Sequence, residues 1–62
     1  SDAAVTLQKA FATLDETEKR VLYQKYFMDF TVRDSAKSLG MSKSSVQRAV
    51  DRAEAKMKKF LN

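Results

Sequence analysis

Apolar positions in this chain recur at the three- and four-residue spacing of helix faces, and no segment alternates long enough to suggest a strand. The absence of Pro, a single Gly and an abundance of Ala, Leu, Lys, Glu and Arg favour helix throughout. A first helix is predicted from about Ala3 to Ala12, with Val5, Leu7, Ala10, Phe11 and Leu14 on its apolar side. Asp15, followed three residues later by Glu18, has the form of a capping box, so a second helix should start there. Its inward stripe is read as Val21, Leu22, Tyr26 and Phe27, with Lys19, Gln24 and Lys25 facing water. The aromatics Tyr23, Tyr26, Phe27 and Phe30 are expected to be packing residues rather than platforms for stacked bases.

Met28-Asp29 interrupts the pattern. Thr31 is a candidate N-cap with Asp34 three positions on, and Val32, Ser35, Ala36 and Leu39 sit at helical spacing, predicting a short third helix. Gly40, the lone glycine, follows Leu39 where a helix end requires a left-handed backbone. Ser42 is then the N-cap of a fourth helix from Lys43 to about Phe60, roughly 27 Å long at 1.5 Å per residue. Val46, Val50, Ala53, Met57 and Phe60 recur along it in steps of four and three. In so small a chain this stripe should bury against the first two helices, while Met57, Phe60 and Leu61 extend as an apolar patch suited to a protein partner.

A short helix and a longer basic one joined by a tight glycine turn form a helix-turn-helix, here spanning about residues 31–60 of a single domain covering residues 1–62. Ala36 allows a close crossing, Gly40 makes the turn, Met41 fills the space beneath it and Val46 points inward. The charge distribution changes the picture further. Residues 1–30 carry four basic against five acidic side chains, whereas residues 31–62 carry eight basic against Asp34, Asp51 and Glu54. Most of the positive field therefore belongs to the helix-turn-helix half, as a phosphate-binding surface requires.

Sixty-two residues without Cys or His exclude disulfides, thiolate or imidazole metal ligation and histidine acid–base catalysis. No glycine-rich phosphate loop and no carboxylate pair beside a cleft can be found, so an enzyme, a cofactor and a small-molecule substrate are not expected. Apolar runs are far short of the roughly 20 residues needed to span a bilayer. The expected setting is cytoplasmic and nucleoid-associated, with no membrane partner.

The stretch from Leu14 to Leu61 resembles region four of bacterial sigma factors of the principal family. The matching residues are Leu14, Arg20-Val21-Leu22, Tyr26-Phe27, Thr31, Ala36, Leu39-Gly40-Met41-Ser42, Ser45-Val46, Arg52-Ala53, Lys56-Met57 and Leu61. The related helix-turn-helix of response regulators fits the Tyr26-Phe27 segment less well. The resemblance implies an all-α, four-helix domain that reads a promoter element in the major groove and contacts RNA polymerase with other faces. Departures from the pattern are Ser35 in place of a large aliphatic residue, Asp29 in place of a frequent glycine and Asp15 at a common proline position. The serine should weaken packing or leave a small polar notch.

The first turns of a recognition helix reach base edges, so Lys43, Ser44, Ser45, Gln47 and Arg48 are the expected reading face, led by Lys43, Ser44 and Gln47. Gln suits adenine and Lys suits guanine, while serine accommodates several bases. Thr31, Arg33, Ser42, Arg52 and Lys56 are expected on the DNA backbone, with Arg48 also able to reach phosphate, helped by amides at the helix starts. A plainer reading pairs Arg52 and Lys56 with Asp51 or Glu54 along their own helix. Two functions follow: a promoter-reading domain that directs RNA polymerase, or a module of the same fold that binds polymerase or another regulator without reading DNA.

Overall fold

The computed structural model describes residues 2–61, apart from the side chains of Ala3 and Leu61. The chain is all-α, with α1 over Asp2–Ala12, α2 over Glu16–Tyr26, α3 over Val32–Leu39 and α4 over Lys43–Leu61. Local chemistry sets the helix starts. The Asp15 carboxylate accepts the Glu18 N–H at 2.8 Å, and Glu18 Oε1 accepts the Asp15 N–H at 2.9 Å. Thr31 and Asp34 repeat the exchange at α3, at 3.1 and 2.9 Å. Each reciprocal pair satisfies two amides that a helix start would otherwise leave unbonded.

Two left-handed residues make the turns. Gly40 ends α3 at φ 65°, ψ 37°, and the N–H groups of both Gly40 and Met41 close onto the Ala36 carbonyl. Asp29 takes φ 59° between α2 and α3, where the Phe30 N–H returns to the Gln24 carbonyl at 2.9 Å. Asp29 thus holds a backbone conformation that favours glycine, as the resemblance implied for this position.

The long helix α4 is the spine against which α1, α2 and α3 all pack. One core cluster joins Val21, Ala36, Val46, Ala49 and Val50, edged by Val32, Leu39 and Met41. A second joins Leu14, Leu22 and Ala53, edged by Met57. Ala49 and Ala53 are fully buried, and their small size lets neighbouring backbones approach closely. The α4 stripe therefore buries as its spacing predicts, from Val46 through Ala53, and emerges at Phe60. The Leu61 side chain, expected to extend that patch, lies outside the described residues.

Three expectations about facing are corrected. Val5, Leu7 and Phe11 are exposed, leaving Ala10 as the buried residue of α1 among the described ones. Tyr23, Tyr26 and Phe27 are exposed by 54, 62 and 78 % rather than packed inside, and Phe30 is half-buried. The cause is coverage: three short helices around one spine supply no element to close the face shared by α1, α2 and the end of α4. Conversely, Gln24 is buried, because α3 lies over it and its Nε2 donates to Ser38 Oγ at 3.1 Å.

Candidate nucleic-acid interface

With Val46, Ala49 and Val50 turned into the core, helical geometry leaves Lys43, Ser44, Gln47 and Arg48 exposed on the opposite side of α4. Ser42 caps the helix: its Oγ accepts the Ser45 N–H at 3.1 Å, and its hydroxyl donates to Ser45 Oγ at 2.9 Å. Arg48 Nη2 donates to the same Ser45 oxygen at 3.3 Å, so Ser45 is half-buried and holds the arginine against the first turn. Gln47 Nε2 donates to Asp51 Oδ1 at 2.9 Å, which fixes the amide along the helix. Only Lys43 and Ser44 of the five expected readers stand fully outward without a bond that restrains them strongly; Ser44 Oγ lies 3.3 Å from Ser42 Oγ.

The first turns of α2 and α3 contain acidic side chains, but the first turn of α4 contains none. Beyond the Ser45 amide that Ser42 caps, no carboxylate in this turn offsets the positive dipole end, which is flanked by Lys43 and Arg48 and suited to an anion. Thr31 is engaged in its capping box, with its hydroxyl accepting the Asp34 N–H, and Arg33 is exposed on the first turn of α3. The Asp34 carboxyl is held below the usual carboxylate range, chiefly by the backbone N–H of Thr31.

Arg52 and Lys56 have a partner that the sequence reading missed. Glu18, completely buried, accepts Lys56 Nζ on Oε1 at 2.8 Å and Arg52 Nε on Oε2 at 3.2 Å, besides the Asp15 amide. These cross-helix pairs replace the expected pairing along α4. The Lys56 hydrogen bond leads the forces that hold the Glu18 carboxyl below its ordinary range despite the opposing effect of burial. A signal was present: Glu18, Val21 and Leu22 share one helical row, so a carboxylate stood in the core stripe opposite two cations four residues apart. Glu54 is tied in the reverse sense, accepting Lys25 Nζ at 2.8 Å and the Tyr26 hydroxyl. Its carboxyl is lowered, first by Lys25, whereas the Lys25 ammonium and the Tyr26 hydroxyl are both raised, first by Glu54.

Two hollows adjoin these groups. A cleft of about 210 Å³ opens beside Ser35, where a small polar notch was expected, but its walls, Val21, Val46 and Val50 with Gln47, are mainly apolar. A larger apolar groove of about 880 Å³ runs between α1, α2 and the end of α4, lined by Leu7, Phe11, Leu22, Tyr23, Phe27 and Met57. Tyr23 and Phe27 stack along it with centroids 5.3 Å apart, and Lys19 lies 5.9 Å from the Phe11 ring. Among the described residues, no cluster of His, Cys, Asp or Glu could hold a metal ion. No helix among them is long and apolar enough to cross a membrane.

The order of helices, the Gly40 turn and the burial pattern of α4 define the fold; comparison of the sequence with known families then supplies its kinship. The family described as sigma-70, region 4 matches residues 4–57. The chain belongs to the sigma-70 region 4 family. It is thus a helix-turn-helix domain of the sigma-factor type, as the resemblance implied. No curated protein and no solved structure matches it. The matched span of this region 4 domain includes both the exposed start of α4 and most of the apolar groove.

Proposed function

We propose that this region 4 domain docks α4 in the major groove of promoter DNA and recruits RNA polymerase. The reading is carried by the start of α4, an exposed basic face with no acidic residue in its first turn, set on a helix whose other side is buried. Lys43, Ser44, Ser45, Gln47 and Arg48 meet base edges, and Thr31, Arg33, Ser42, Arg52 and Lys56 meet the backbone. The hydroxyl network and the Gln47–Asp51 bond favour this role by limiting the freedom that reading side chains would lose on binding.

Polymerase is assigned to the apolar groove. Exposed aromatics in one contiguous hollow are what a protein partner buries. From Arg48 to Met57 the helix advances nine steps, about 14 Å of rise, so the two surfaces can be occupied together. The groove also supports the second reading, a domain that binds polymerase or another regulator without reading DNA. Selection of bound sequences from a random duplex pool, with and without RNA polymerase, separates the two. Enrichment of one sequence class supports promoter reading; polymerase binding with no enrichment in either arm supports the second. Phe27→Ala should weaken polymerase binding and leave duplex affinity unchanged.

A further inference from the structure

We propose that Glu18 is a positioning residue for DNA docking, fixing Arg52 through Nε so that its terminal guanidinium nitrogens are presented to a backbone phosphate. The inference rests on the DNA-docking reading above. Glu18 cannot touch DNA itself, being completely buried, but Arg52 Nε donates to its Oε2 at 3.2 Å while half of the Arg52 side chain remains exposed. Among the described residues, neither terminal nitrogen of Arg52 has a partner. A guanidinium carries five N–H donors in a rigid plane, so one edge can be anchored while the other serves an anion.

Two further features fit this arrangement. Lys56 supplies a second cation to the same buried carboxylate at 2.8 Å, so the group of three keeps a net positive charge that the half-exposed Arg52 can direct outward. Arg52 also follows Arg48 by one helical step of four, continuing the exposed basic row from the reading face. The carboxyl of Glu18 is held ionised by these partners, so the anchor persists at neutral pH.

The alternative is that Glu18 merely neutralises two cations, and the two ideas predict opposite signs. If Glu18 only cancels charge, Glu18→Gln should tighten duplex binding; if it positions Arg52, the same change should weaken it although a negative charge is gone. Affinity for a short mixed-sequence duplex, measured by fluorescence anisotropy across a salt series, is read for the wild-type chain, Arg52→Lys, Arg52→Gln and Glu18→Gln. Circular dichroism confirms that each variant is helical under the conditions used. Arg52→Lys keeps the charge, but its single ammonium cannot reach both carboxylate and phosphate, so it should lose affinity several-fold, close to Arg52→Gln. In that variant Lys56 still pairs with Glu18, so the comparison stands even where Glu18→Gln does not fold. Arg52→Lys binding like wild type, Arg52→Gln without loss, or a folded Glu18→Gln that binds more tightly would each overturn the proposal. A wild-type chain with no salt-sensitive duplex binding would instead sink the DNA-docking reading on which it rests.

Discussion

Gly40 and Asp29 both adopt positive φ, at 65° and 59°, yet they differ in what a substitution would do. A Cβ added at Gly40 meets nothing within 4 Å, so any penalty there is conformational rather than steric. Gly40→Ala should therefore destabilise the domain by about 1 kcal/mol, measured by urea unfolding. Asp29→Gly should act oppositely, raising stability by about 0.5 kcal/mol because it relieves a side chain held in the left-handed region. Gly40 was legible in the sequence, being the lone glycine and directly after an apolar helical pattern. Glu18 was not read as buried, because its capping role explained it fully; its place in the core row with Val21 and Leu22 was the local signal, and the cations it meets stand more than thirty positions away in the chain.

Helix boundaries were readable because capping is local: Asp15 with Glu18 and Thr31 with Asp34 bond within three residues. Helix facing was less so. In α4, one long stripe met three packing partners and its inward side followed the spacing, whereas in α1 and α2 the apolar residues outnumber the surface available to cover them. Periodicity shows that Tyr23 and Phe27 share a side but not that nothing closes over it. At α3, Ser35 is buried yet borders the cleft of about 210 Å³, so the core is under-filled at the junction of α2, α3 and α4. Ser35→Leu should fill part of that space and stabilise the domain by about 1 kcal/mol, seen as a higher melting temperature by circular dichroism. A lower melting temperature would mean that the walls of the cleft do not admit the added carbons.

On the scale of the whole molecule, α2 and α4 are locked in both directions, by Glu18 with Arg52 and Lys56 and by Glu54 with Lys25. The pH dependence follows. Glu18 and Glu54 have carboxyls lowered from an ordinary value of 4.5, so their contribution is complete above that value and is lost as pH falls through the lower folded-state values. Lys25 and Tyr26 are raised from 10.5 and 10.0, so theirs is complete below those values and is lost as pH rises through the higher folded-state ones. Stability measured by denaturant should accordingly be flat near neutrality and fall below about pH 4.5. Glu18→Gln should cost about 2 kcal/mol at pH 7, since it removes a buried carboxylate that bonds two partly exposed cations, and should blunt the acid limb.

The same lock ties Arg52 and Lys56 to Glu18 of α2, while Lys43 and Arg48 lead the exposed basic face at the start of α4. The most direct test of that face is the salt dependence of duplex binding by the wild-type chain and Arg48→Gln. Wild-type affinity should fall steeply and linearly on logarithmic axes as salt rises, and the variant's slope should be smaller by about one phosphate equivalent. Absence of duplex binding at low salt, or an Arg48→Gln slope equal to that of the wild type, would contradict the account.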